Sequence, residues 1–331
     1  MPLALWRERK RSFRMNRITD FEGLIKRADE LAAGRPRVRV VLSGAEDESG
    51  ILALEAARIK GQVDPILVGD AEEIAGIMGR LSIDAAAYRI YDIKDPVSKA
   101  DKAVELVRSG EADALMKGLI PTSTFLHPIF RHGTGLRAGK FISHVGLLQV
   151  EGMDRLILQT DGGINVNPDI EMKKGIIVNA VFLAHMLGVE RPRVAILSAS
   201  EKVHPKIPST VEARDLAIWA KEAVPDADVD GPLALDIAIS HDAAVRKGVH
   251  GNVAGYADIL VAGNIEVGNV IYKAARYFGH AKGAGIVVGA ACPVLLASRS
   301  DPMEEKLNSI ALAILYAAHM QEARNRLKDK R

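Results

Sequence analysis

The chain has 331 residues, 44 lysines and arginines against 42 aspartates and glutamates, and a formal net charge of +2. So even a balance lacks the basic excess of a nucleic-acid protein, yet leaves room for a local basic site facing a polyanion. With 48% hydrophobic residues and few aromatics, the length suits two domains or one large α/β unit, and no apolar run reaches membrane-spanning length.

Residues 1–17 are basic and carry no apolar stretch of the signal-peptide kind. A disordered tail is the expectation, with Met15 as the true start and residues 1–14 dispensable; an organellar address is the alternative. The spacing then predicts a helix over 24–33 stopped by Gly34, and a strand over 37–42 running into Ser43-Gly44-Ala45. A helix over 48–60, a strand over 65–69, a helix over 71–78 and a short strand over 88–91 follow. A helix over 95–109 and a strand over 113–118 continue the alternation. Such alternation gives βαβ units and a mostly parallel sheet. The Ser43-Gly44 turn is not followed by the glycine spacing of a dinucleotide fingerprint, and no Gly-Lys-Ser/Thr phosphate loop occurs.

Lys117 ends a strand just before Gly118. Further on, Arg137, Lys140, Ser143 and His144 crowd into one short segment. Grouped so, they suit a phosphate or pyrophosphate, with a solvated basic loop as the plain alternative. His144 by itself fits a structural hydrogen-bonding role better than acid–base work. Two extended runs, 141–150 and 155–160, are joined by a Glu151-Gly152 turn and read as adjacent strands. Thr160-Asp161-Gly162-Gly163-Ile164-Asn165 ends the second run with small residues, which admit a ligand close to backbone or simply form a tight turn. A helix over 172–187 stopped by Gly188, a strand over 193–198 and a helix over 211–223 follow. Asp230 to Leu233 is expected to begin a loop-helix element. His241, Asp242 and His250 do not have metal-ligand spacing, and no His-Glu-x-x-His is present, so no metal site is expected.

The last third is the most informative. Asp258 to Ala262 reads as a buried strand bounded by Gly263 and Asn264. A helix is expected to begin there and run through Phe278. Backbone N–H groups at such a start hold an anion well, with Asn264 and Asn269 as candidate contacts and helix capping as the alternative for Asn269. The one cysteine, Cys292, lies in an apolar stretch. It excludes an internal disulfide, reads as a buried inert thiol, and points to a reducing cytoplasm. Ser298-Arg299 then stands just ahead of another helix, where a hydroxyl beside a guanidinium suits a phosphate or a developing oxyanion. The alternative is a capping serine next to a surface arginine. Asp301-Pro302-Met303-Glu304 reads as a helix start, with Asp301 as cap, Pro302 first in the helix and Glu304 as reciprocal partner. An amphipathic helix over 307–328 closes the chain.

These phrases resemble the phosphate acetyl/butyryltransferase family. The likeness rests on Glu266-Val-Gly-Asn-Val-Ile-Tyr-Lys273, Ala297-Ser-Arg-Ser-Asp301 and Lys306-Leu-Asn-Ser-Ile310. It extends back through Asp230-Gly-Pro-Leu-Ala-Leu-Asp236, Thr160–Asn165, Ser143-His-Val145, Gly135-Leu-Arg137 and Met116-Lys-Gly118, and its wording is nearest the butyryl branch. The resemblance implies an α/β fold with two lobes of the isocitrate/isopropylmalate-dehydrogenase-like kind, mostly parallel sheets and helices on both faces. It puts residues 1–142 and 285–331 in the first lobe, 143–284 in the second, and the active site in the cleft between them. It implies reversible transfer of a short acyl group between coenzyme A and phosphate, both as substrates, with no cofactor, no metal, no acyl-enzyme, and a homodimer. Ser298 and Arg299 would bind phosphate and polarise the thioester carbonyl. Lys117, Arg137, Ser143, His144, Asn264 and Asn269 would bind substrate. The general base falls on Glu305 by the register of the acetyl-specific relatives and on Asp301 by that of the butyryl branch, and both stay open. Many relatives carry an arginine near position 127, where this chain has His127; if that arginine binds coenzyme A phosphate, its task here is weaker or passes to Arg131 or Arg137. Two other readings remain: a metal- and nicotinamide-dependent dehydrogenase of the same architecture, and a degenerate coenzyme A-binding protein.

Overall fold

Apolar side chains spaced three and four apart set the first helix. Phe21, Leu24, Ala28 and Leu31 form the buried stripe of α1 (Phe21–Ala32). A computed structural model describes residues 16–298 and 301–328. The expectations for residues 1–14 and for Arg299 lie outside the described residues. After α1 come β1 (Val38–Ser43), α2 (Glu48–Ile59), β2 (Val63–Gly69) and α3 (Ala71–Arg80). Then follow β3 (Arg89–Asp92), α4 (Pro96–Arg108), β4 (Ala114–Lys117) and α5 (Thr122–Phe130). Asp47, Asp70 and Asp95 open α2, α3 and α4, each carboxylate accepting an N–H of the first turn. Sequence periodicity did not assign α5, because Pro128 stands inside it.

The middle of the chain forms β5 (Ser143–Gln149) and β6 (Ile157–Thr160), which pair antiparallel. Gly152 turns the chain between them at a φ of 80°, a conformation that favours glycine. Then come α6 (Ile170–Met186), β7 (Arg193–Leu197), α7 (Pro208–Ala223), β8 (Asp228–Leu233), α8 (Leu235–Ile239) and α9 (His241–Arg246). β9 (Ile259–Val261), α10 (Ile265–Tyr277), β10 (Lys282–Val288), β11 (Val294–Leu295) and α11 (Met303–Lys328) complete it. Two expectations need correcting. Asp230 to Leu233 does not begin a loop-helix element but finishes β8. The last helix starts at Met303, earlier than 307, and the Pro302 carbonyl accepts the N–H groups of Glu305 and Lys306. Pro302 therefore precedes the helix rather than leading it.

The fold is mixed α/β, and the chain divides into two compact units. One comprises Phe21–Gly139 and the chain from Ala284 onward; the other comprises Lys140–Gly283 with the short stretch ending at Asp20. In the first unit the strand order is β3-β2-β1-β4-β11-β10. Its pairings are parallel apart from β10 with β11. The chain steps outward from β1 to β3, then crosses to the other side of β1 for β4. That reversal is the switch point, outside whose carboxyl ends open α/β sheets bind ligands. In the second unit the order is β5-β6-β9-β7-β8, parallel after the β5–β6 hairpin. Leu148, Ile157, Leu197, Leu233, Ile237 and Leu260 are part of its apolar core. Asp258, wholly buried there, is matched by the Arg17 guanidinium at 2.6 Å and by the backbone and guanidinium of Arg193. A buried carboxylate is tolerated only with such partners.

Candidate active site

At the switch point of the first unit, the last residues of β1 and β4, Ser43 and Lys117, stand side by side in register. Gly44 follows at a φ of 76°. A Cβ on Gly118 would overlap the Gly44 carbonyl oxygen, so glycine there lets the two strand-end turns touch. Lys117 is buried, and its ammonium donates to the Gly118 carbonyl at 3.2 Å. Arg137 is exposed, and its backbone is fixed by an isolated bridge to Ala290. His127 is also exposed. One turn on, Arg131 reaches Asp101 at 2.8 Å and the His127 imidazole at 3.3 Å.

Ser298 and Asp301 are brought together. The Asp301 carboxylate accepts the Ser298 N–H at 2.7 Å, and the Asp301 N–H returns to the Ser298 carbonyl at 3.1 Å. Both residues are half-buried, so both can meet a ligand. Glu305 differs: it lies in the first turn of α11 and is only 6% exposed. Beside it, the Lys306 ammonium is bonded to Asp47 and Ser49. Lys306 entered the sequence reading only as the first residue of the Lys306–Ile310 phrase, with no role given to it, and Asp47 did not enter it.

The other candidates belong to the second unit. Ser143 is buried, and its hydroxyl accepts from the Asn179 amide at 3.0 Å. His144 donates its backbone N–H to Asp161 at 3.1 Å and takes the Thr160 hydroxyl on its carbonyl at 2.8 Å. Asp161 organises this loop. Its carboxylate also accepts the N–H groups of Gly163, Ile164 and Asn165 and the Asn165 amide. The Asp-Gly-Gly signal marked a turn here but not a buried carboxylate hub. The imidazole of His144 lies over Gly163, where a Cβ would come within 3.1 Å of the ring. Asn264 accepts the Val267 N–H at 3.0 Å and so caps α10. Asn269 is exposed, with its amide 3.5 Å from the Gly162 carbonyl. Among the described residues, no group of three or more His, Cys, Asp or Glu is placed to hold a metal ion.

Comparison with known proteins adds to this geometry. A family model described as phosphate acetyl/butaryl transferase matches residues 93–314. The phosphate butyryltransferase of Clostridium beijerinckii is 44% identical over 90% of this chain and 98% of its own. The phosphate acetyltransferase of Rhizobium meliloti is 40% identical over 88% and 94%. Among solved structures, a branched-chain phosphotransacylase from Enterococcus faecalis is 32% identical with a TM-score of 0.74, covering 85% of this chain and 99% of that one. A 4-hydroxythreonine-4-phosphate dehydrogenase from Salmonella typhimurium is similar in fold alone, with a TM-score of 0.51 at 12% identity over 84% and 99%.

Proposed function

The chain belongs to the phosphate acetyl/butyryl transferase family, and on that premise we propose how its residues move an acyl group. It is a phosphate acyltransferase, carrying a short acyl group, acetyl or butyryl, reversibly between coenzyme A and inorganic phosphate. In our reading Ser298 and Arg299 hold the phosphate and polarise the thioester carbonyl. A phosphate oxygen attacks the carbonyl carbon directly. The attacking phosphate gives its proton to Asp301, the tetrahedral intermediate expels coenzyme A sulfur, which takes that proton from Asp301, and acyl phosphate is left. In reverse, the Asp301 carboxylate removes the thiol proton and the thiolate attacks the acyl phosphate. Holding two anionic reactants together and stabilising the oxyanion supplies most of the rate.

The observation that carries this assignment is the 2.7 Å bond from the Ser298 N–H to Asp301. It ties the acid to the phosphate-binding serine and leaves it half-buried, whereas Glu305 is packed into the core. A base must reach the proton it takes, so we assign the role to Asp301. Lys117, Arg137, Ser143, His144, Asn264 and Asn269 complete the proposed substrate contacts, with exposed Arg137 and Asn269 the readiest to meet charged groups. Arg131, close to His127, takes the place of the arginine that many relatives carry there. Coenzyme A and phosphate enter as substrates, and this scheme needs no cofactor or metal.

We further infer a two-lobed architecture of the isocitrate/isopropylmalate-dehydrogenase kind, with 1–142 and 285–331 in one lobe and 143–284 in the other. The division into two units and the dehydrogenase fold likeness support it. We place the enzyme in the cytoplasm; its sole cysteine, buried Cys292, supports that. No described helix is long and apolar enough to cross a membrane. We also propose a homodimer formed through α10. Val267, Val270 and Tyr277 make an exposed apolar stripe on it, and Phe278 just beyond is 87% exposed. Glu266 opens the helix while Lys273 and Arg276 lie toward its end, so two copies crossing antiparallel set opposite charges against each other. The function is tested by thiol release from acetyl-CoA and butyryl-CoA with and without phosphate. Release that ignores phosphate, or a nicotinamide absorbance change in its place, overturns the reading.

A further inference from the structure

Lys306 stands apart from every residue assigned so far. It lies in the first turn of α11, and it is 1% exposed. An ammonium so placed loses nearly all its hydration, which is costly unless it is paired and hydrogen-bonded. Its Nζ donates to Oδ2 of Asp47 and, at 2.6 Å, to the Ser49 hydroxyl. Asp47 is itself a junction. Its Oδ1 accepts the Gly50 N–H at 3.1 Å and the Ser49 hydroxyl at 2.9 Å, which caps α2. Gly50 makes room for this, since a Cβ there would lie 2.9 Å from Oδ2.

One buried ammonium thus ties the helix that follows Ser298 and Asp301 to the loop that follows β1. A second tie lies one turn further on. The Ser309 hydroxyl accepts the Gly285 N–H at 3.0 Å and donates to the Glu305 carbonyl at 3.0 Å. Stability alone does not call for charges here. A buried ion pair is about as good for stability as well-packed apolar side chains of the same volume, or worse. What a charge pair adds is register, because each partner is satisfied in one arrangement only.

We propose that Lys306 is a positioning residue for acyl transfer: through Asp47 and Ser49 it holds the start of α11, and with it Asp301 and its partner Ser298, in place beside the carboxyl end of β1. This rests on the acyl-transfer reading given above. A misplacement of about 1 Å in a reacting group lowers turnover by about 10²-fold, so a small shift of Asp301 is enough.

The test is the double variant Asp47→Asn/Lys306→Met in the full chain. Asn keeps the cap of α2, and Met fills the space of the lysine stem without a buried charge. Thiol release from butyryl-CoA with phosphate is measured beside thermal unfolding. We expect Tm close to the parent's, kcat lower by about 10- to 100-fold, and KM for butyryl-CoA within about threefold. A purely structural pair would give the parent's kcat once Tm is recovered, and that result overturns the inference. If the double variant does not fold, Asp47→Asn alone decides the matter: its one oxygen keeps the cap while its NH₂ is turned to the Lys306 ammonium, so the tie to Lys306 is lost, and parental kcat in the folded variant refutes the positioning role. A parent with no phosphate-dependent thiol release overturns the acyl-transfer reading and this inference together, so the two failures are told apart.

Discussion

Asp161→Asn removes one charge and exchanges one oxygen for an amide, and it should destabilise the second unit well beyond an ordinary surface change. The Asp161 side chain is 3% exposed. Its Oδ1 accepts the N–H groups of Gly163 at 2.9 Å and Ile164 at 3.0 Å. Its Oδ2 accepts the His144 N–H at 3.1 Å and the Asn165 amide at 2.7 Å. The further Asn165 N–H, at 3.4 Å, is too long to count for much. Asparagine offers one acceptor oxygen. Whichever way its amide turns, two good donors then face an NH₂ group. Each buried donor left unsatisfied costs about 1–3 kcal/mol, which sums to about 2–6 kcal/mol. Single substitutions beyond about 4–5 kcal/mol are exceptional because the surroundings relax, so the expected loss is about 3 kcal/mol. Urea unfolding followed by tryptophan fluorescence suits the measurement, because Trp219 of α7 lies in the same unit. The midpoint should fall with the slope unchanged. A midpoint equal to the parent's would refute the claim that this carboxylate holds the loop's N–H groups.

What could be read from the sequence was what neighbours along the chain decide. The βαβ alternation was legible because buried parallel strands such as β9 are short apolar runs, set between stretches of helical spacing. β8 was not legible as a strand: Asp228-Val-Asp-Gly-Pro-Leu233 carries residues that weaken a central strand. It stands at the edge of its sheet, where Gly and Pro are tolerated. α5 was hidden by Pro128, which breaks the usual helical pattern yet lies near the helix end. Ser298 and Asp301, three apart in the chain, stood in one phrase of the sequence, so both were within reach of local pattern. Lys306 and Asp47 were not, since 259 residues separate them. A lysine in a helix reads as a solvated surface residue until its partner is known. Asp161 lay in a visible turn, but the donors from His144 come from the neighbouring strand, and local pattern does not report cross-strand partners.

Gly268→Ala should destabilise the second unit by about 1–3 kcal/mol, because its Cβ would overlap the Asp161 carbonyl oxygen; chemical unfolding checks it. The Glu55 carboxyl is held below its ordinary value of 4.5, chiefly by its bond to Arg58, with burial opposing and the Tyr88 hydroxyl assisting. Its stabilising share is therefore full above that value and is lost as pH falls through the lowered one. Glu55→Gln should flatten the acid side of a Tm-against-pH curve, and an unchanged slope would refute this. If the chain forms the proposed homodimer through α10, Val270→Glu on its exposed stripe should give a monomer in light scattering where the parent gives a dimer; a parent that is itself monomeric, or a variant that stays dimeric, refutes the proposed interface. Asp301→Asn tests the proposed base without changing side-chain shape. Asparagine keeps an oxygen that can accept the Ser298 N–H, so that bond is kept and the fold should keep its Tm. It cannot take the coenzyme A thiol proton, so turnover from acyl phosphate and coenzyme A should fall by about 10²–10⁴-fold. The loss should shrink as pH approaches the thiol's own pKa, near about 8.5 for an ordinary thiol, because the nucleophile then arrives already deprotonated. A purely positional role for Asp301 predicts no such recovery with pH. Parental turnover at neutral pH would move the base to Glu305, despite its burial, and Glu305→Gln would then be the variant that loses the reaction.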